Sequence, residues 1–177
     1  TGNNTSSLTL SAYVNVALGA NSITSSTNTL PLTITATTGS FTGSGNLTLL
    51  GGALSITQAT AGTYSGIISG TGTTLTKAGA GTLTLGAANT YTGLTTVSAG
   101  SLTYGINDAI STGAVTVNGS TAILALGTYT DSVGAVTLTA GSITGTGSSS
   151  QGILTSTSGF TINPASGVTV SASANLA

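Results

Sequence analysis

The chain has 177 residues, 27 of them glycine, and its only charged side chains are Lys77, Asp108 and Asp131; histidine, cysteine, methionine and tryptophan are absent. That inventory excludes a Ser-His-Asp triad, a cysteine nucleophile and a clustered metal centre. One cation cannot neutralise a nucleic-acid backbone. The expectation is therefore a protein that is no enzyme, with no catalytic, cofactor-binding or metal-binding residues and no nucleic-acid partner. Mean hydropathy is +0.45 with almost no charge, the reverse of a disordered composition.

In chain order, short stretches alternate an apolar residue with Thr or Ser, the period-two mark of a strand with one buried face. They are Ser7–Leu18, Leu30–Thr35, Asn46–Leu50, Ala53–Thr57, Thr82–Leu85, Leu94–Val97 and Ser101–Tyr104. Then follow Ala114–Val117, Ile123–Leu126, Ala135–Thr139, Ser142–Thr144, Gly152–Thr155, Phe160–Ile162 and Gly167–Ser173. Gly, Asn and Ser separate them, as turns require. No apolar run approaches the ~20 residues of a spanning helix, so membrane insertion of this segment is not expected. Sequons at Asn3, Asn4, Asn46 and Asn118 are what chance supplies in so Asn-, Ser- and Thr-rich a chain.

Spacing carries more than the strands do. "GAVTV" begins at Gly113 and "GAVTL" at Gly134, 21 residues on; "AGSLT" begins at Ala99 and "AGSIT" at Ala140, 41 residues on. Echoes at one and two multiples of about 21 indicate a solenoid, a chain returning to the same place once per turn. An antiparallel sandwich is the competing architecture, but it carries no such echo. The expected fold is all-β, a single-stranded parallel β-helix of about 8 rungs in which 1–177 form one continuous solenoid.

From Tyr64 to Leu102 the chain contains "SGIISGTG", "LTKAGAGTLTL", "ANTYTG" and "TTVSAGSL". This stretch, 64–102, resembles the autotransporter-associated β-strand repeat, also called the passenger-associated transport repeat, of bacterial surface proteins. Residues 1–60 are less typical rungs. The resemblance implies a right-handed helix, a location outside the cell or on the bacterial cell surface, and adhesion, biofilm or scaffold roles rather than a reaction.

Individual residues are read as follows. Gly79 and Gly81 allow a tight turn. Lys77 is expected as a solvated side chain lying over apolar surface, and Asp108 and Asp131 as turn residues bonding local backbone. Asn89 is a candidate for an amide ladder, and Tyr91 for a lid packed on a turn. Neither end shows a capping helix, and uncapped strand edges recruit further strands. The functional expectation is thus a structural subunit of an extracellular bacterial fibre, with copies of itself stacked head to tail as partners. The alternative is a passenger segment of an adhesin binding surfaces or glycans through a stripe of Tyr13, Tyr64, Tyr91, Tyr104 and Tyr129. A third reading has Ser7–Leu18 donated as a strand to a neighbour.

Overall fold

Alternating Leu or Ile with Thr leaves each strand one apolar edge to bury, and a chain with few large side chains can bury it only in a narrow core. The computed structural model describes residues 6–146, 151–165 and 170–177 and shows how this is done. The expected strand Gly167–Ser173 lies partly outside the described residues, as do Asn3 and Asn4. Among the described residues there is no helix, and all strand pairs are parallel. The chain is a β-solenoid of about eight turns.

The first side of the solenoid is an eight-stranded sheet: Leu8–Ala12, Leu32–Ala36, Ala53–Gln58, Thr74–Ala78, Thr95–Val97, Val115–Val117, Val136–Leu138 and Phe160–Ile162. Its register stacks Leu8, Leu32, Leu54, Leu75, Thr95, Val115, Val136 and Phe160 in one inward column. Successive turns therefore take 24, 22, 21, 20, 20, 21 and 24 residues. The 21-residue echo is the direct pairing of Val115 with Val136, and the 41-residue echo spans two turns, from Ser101 through Ile123 to Ser142.

The second side contains the six-stranded sheet Gly62–Tyr64, Thr82–Leu85, Ser101–Tyr104, Ile123–Gly127, Gly141–Gly145 and Val170–Ala172. A bridge from Gly43 to Tyr64 joins it to the pair Val16–Ala17 and Phe41–Thr42. The third side is broken. Ile23–Thr24, Leu47–Thr48, Ile68–Gly70 and Thr90–Tyr91 form one sheet; Asp131–Val133, Ile153–Ser156 and Asn175–Leu176 form another. The intervening turn, near Ala109 and Ile110, contributes no strand there.

The core is the space these sides enclose, filled by stacked Leu, Ile and Val such as Leu32, Ile34, Leu54, Ile56, Leu83 and Leu124. Aromatics enter it as well. Tyr64 is fully buried and stacks on Phe41 with ring centroids 4.9 Å apart, an ordinary offset contact. Outside, the first side carries a second column, Thr9, Thr33, Ser55, Thr76, Thr96, Thr116, Thr137 and Thr161, again in register. The expected strand Ser7–Leu18 is two strands: Leu8–Ala12 pairs with Leu32–Ala36 and Val16–Ala17 with Phe41–Thr42, with a corner at Tyr13–Asn15 between them.

Two glycines in the turn after Lys77 share one constraint, and the first carries a second. Gly79 has φ +74, the left-handed region that favours glycine, and a Cβ there would also lie 2.4 Å from the Gln58 carbonyl oxygen. Gly81 has no such φ, but a Cβ there would lie 2.2 Å from the Thr60 carbonyl oxygen of the turn before. The close stacking of turns is what demands it. Gly81→Ala is expected to cost about 3 kcal/mol, a backbone clash that no flexible side chain can relieve. Gly19→Ala, at φ +57 with open space around its Cβ, should cost only about 1 kcal/mol. Urea denaturation of the two variants measures the difference.

Candidate functional site

The polar residues of interest lie inside the solenoid, placed there by the same alternation that places the leucines. In Thr74–Ala78, Leu75 and Lys77 share a face, and Lys77 takes the inward position between Ile56 and Val97. Its side chain is buried, not solvated as its charge suggested. The ammonium turns out of the column at the corner and donates to the carbonyls of Ala78 (2.8 Å), Gly79 (2.9 Å) and Ala99 (3.2 Å). Its three protons thus meet three carbonyls, and because Ala99 belongs to the next turn, one side chain ties two turns together. Burial lowers the Lys77 pKa from 10.5 to about 8.

Gln58 continues the inward alternation after Leu54 and Ile56. Its Oε1 accepts from the Phe41 N–H (3.3 Å), and its Nε2 donates to Thr60 O (3.0 Å) and Thr82 O (2.6 Å). It spans three turns. Sequence reading passed it over, although the alternation Leu54-Ile56-Gln58 marks it as inward.

Asn89 and Asp131 work as a pair across the gap in the third side. Asn89 Oδ1 accepts from the Ile68 N–H below (2.7 Å), and its Nδ2 donates to the Ala109 carbonyl above (2.5 Å). Asp131, one turn further, accepts from the Ile110 N–H (3.2 Å). Where the ladder lacks a strand, two side chains satisfy the intervening backbone from both sides. Asn89 therefore bonds to neighbouring main chain and does not stack on other amides. Asp131 is likewise no turn residue: it sits inside, in a strand. Asp108 does sit at a corner, exposed and at φ +55, but it is its N–H that bonds, to Thr130 O (2.9 Å).

The tyrosines form no outer stripe. Tyr64, Tyr91 and Tyr104 are core residues, Tyr129 is half-buried and Tyr13 is exposed. Tyr91 is no lid; its hydroxyl is hydrogen-bonded to Thr95 Oγ1 inside the solenoid (2.6 Å). The Tyr104 hydroxyl is buried near the Asp131 carboxyl without closing a hydrogen bond to any group. Burial raises the pKa of Tyr64, Tyr91 and Tyr104, and it raises that of Asp131 from 3.8 to about 6. This arrangement ties neighbouring turns together.

Residues 75–103 match the family model of the passenger-associated-transport-repeat. The match covers 29 of the 177 residues. No curated protein and no solved structure matches the chain significantly. The repeat covers a full turn and the start of the next, and Lys77, Asn89, Tyr91 and Thr95 all fall within it. Of these, Lys77 and Asn89 bond across to neighbouring turns. A passenger-type β-helix is the architecture the repeat stands for, and it associates the chain with secreted or cell-surface proteins.

The buried charges fix how stability depends on pH. Asp131 holds its proton more tightly folded than unfolded, so its contribution is complete below about pH 4 and lost as the pH rises through 6. Lys77 is shifted the other way: its contribution is present above about 10.5 and lost as the pH falls through 8. The buried tyrosines hold their protons, so their contribution is lost only on further alkalinisation beyond about pH 10. Urea midpoints are therefore expected to pass through a shallow minimum between pH 6 and 8, the inverse of the usual profile. Asp131→Asn should flatten the acid limb and raise the midpoint at pH 7, because an amide keeps the acceptor for Ile110 N–H and brings a donor for Tyr104. Lys77→Met should flatten the alkaline limb.

Proposed function

We propose that the chain is the structural subunit of an extracellular fibre in which solenoids stack head to tail. The supporting observation is that the two end faces complement each other. On the first turn Leu8, Leu10 and Ala12 are half-buried, while their counterparts Leu32, Ile34 and Ala36 one turn inward are 0, 0 and 1 % exposed. At the other pole Phe160 is half-buried and Ile162 is 55 % exposed. These residues end the same two inward columns, because the register runs unbroken from Leu8 to Phe160 and from Leu10 to Ile162.

A second copy set down with Leu8 over Phe160 and Leu10 over Ile162 repeats the packing found between internal turns. It also supplies hydrogen bonds to edge strands that have no partner on their outer side among the described residues. Such a contact is heterologous and does not close, so it propagates. A net charge of −1 offers little repulsion against it. In this reading the chain does no catalysis; its buried polar groups Gln58, Lys77, Asn89 and Asp131 serve to hold turns together. The adhesin alternative, with surface glycans as partners, draws less support, since three of its five tyrosines are buried.

Electron microscopy of purified protein tests this. Filaments with an axial subunit repeat of about 38 Å, eight turns at ~4.8 Å each, are expected. Leu10→Lys and Ile162→Lys should each shorten or abolish them while leaving the far-ultraviolet circular dichroism unchanged, since each places a charge on an apolar contact. Isolated short rods at every concentration, or filaments unaffected by both substitutions, would exclude the proposal.

A further inference from the structure

The outer side of the eight-stranded sheet is an ordered grid. Its central column of hydroxyls runs from Thr9 to Thr161 without a bulge. Rows are ~4.8 Å apart, and a second hydroxyl two residues along a strand lies ~7 Å from the first. The strands Leu8–Ala12, Leu32–Ala36 and Ala53–Gln58 carry that second hydroxyl, as Ser11, Thr35 and Thr57 in mutual register.

Two further observations bear on this side, whose column is unbroken where the outward column of the six-stranded sheet, Thr63, Thr84, Thr103, is interrupted at Ala125. First, it carries no charge, a property it shares with the strands of the six-stranded sheet. Lys77 is buried with its ammonium on corner carbonyls, Asp131 belongs to the third side, and Asp108 lies at a corner remote from this sheet. Second, the hydroxyls of the central column make no hydrogen bond to other described residues, whereas elsewhere hydroxyls bond to each other: Thr48 to Ser69 on the third side (3.1 Å) and Ser101 to Thr103 on the second (3.0 Å). The column is left with its full hydrogen-bonding capacity facing solvent.

A partner for this face must match it in charge and in spacing. Having no charge, the face offers nothing to phosphate, to acidic or basic proteins, or to a charged membrane surface. Sugar polymers are gripped by aromatic faces and by amide or carboxylate forks, and the column has neither. Ice remains. It is uncharged, it presents donors and acceptors at repeats near those of the grid, and it is a lattice large enough to engage every row at once. Threonine suits the task, since its branched Cβ restricts the hydroxyl to few positions before any contact is made, so little side-chain entropy is lost on binding.

We propose that the outer face of the eight-stranded sheet binds the surface of ice, through in-register threonine hydroxyls and methyls. A splat-type recrystallisation assay on the chain as it stands tests this, with ice-crystal faceting as a second readout. The wild type should keep ice grains small. Thr96→Lys and Thr116→Lys, in the middle of the column, should lose that activity while keeping the circular dichroism spectrum. Thr84→Lys, on the outer side of the six-stranded sheet, should retain it. Should lysine disturb the sheet, Thr116→Tyr replaces it, a strand former that breaks the grid by size alone; it too should lose activity.

The proposal is overturned if wild-type grains coarsen as in buffer, or if folded column variants remain active. It is equally overturned if the protein leaves ice unaffected and instead co-sediments with crystalline cellulose or chitin, or forms a dimer that the column substitutions dissolve.

Discussion

The structure depends on the parallel backbone ladder between successive turns. Each turn bonds to the one before it residue for residue, so a side chain at one level is bound to have its counterpart directly above and below. Once that register holds, an inward leucine must stack on an inward residue and an outward threonine on an outward one. The core then becomes a set of columns, which favours Leu, Ile and Val repeated at one level after another. The same closeness of turns forces glycine at Gly81, where backbone meets backbone, independently of any unusual dihedral angle.

Polar groups enter the interior where the ladder alone leaves backbone unsatisfied. The corner carbonyls near Lys77 accept from its ammonium, and the turn near Ala109, which forms no strand on the third side, is held between Asn89 and Asp131. Gln58 does similar work across three turns. Each of these bridges neighbouring turns, so the interior polar chemistry is spent on keeping the register. That is consistent with a molecule whose use lies in its ordered surfaces and ends. Two of its three charges are buried, and both have pKa values displaced by burial. The resulting strain on neutral-pH stability is tolerable in a solenoid, where each turn is supported from both sides.

Much of this was legible in the sequence. The repeats at Gly113 and Gly134 gave the turn length, because stacked turns of equal length repeat their side-chain order. Thr82–Leu85, Ser101–Tyr104 and Phe160–Ile162 were readable as strands with their observed limits. Phe41–Thr42, Thr90–Tyr91 and Asp131–Val133 were not, since none of them sets two apolar residues about a Thr or Ser as Phe160–Ile162 does. The charged and aromatic residues were misplaced for a different reason. Alternation already set Lys77 with Leu75, Tyr104 with Leu102 and Asp131 with Val133, but their chemical type argued for the surface. Hydrogen bonds to the main chain of the neighbouring turn hold Lys77 and Asp131 inside, and no local pattern displays them.

Interspin distances give the most direct test of the stacking itself. The chain has no cysteine, so pairs introduced at outward positions are labelled cleanly. Electron–electron double resonance on Thr33→Cys/Thr116→Cys and Thr33→Cys/Thr161→Cys spans four and six turns of the eight-stranded sheet. Distances centred near ~19 Å and ~29 Å, growing linearly with the number of turns, are what in-register parallel stacking requires. Equal distances for the two pairs, or a shorter one for the more distant pair, would mean that the turns do not stack in this order, and the account would fail at its foundation.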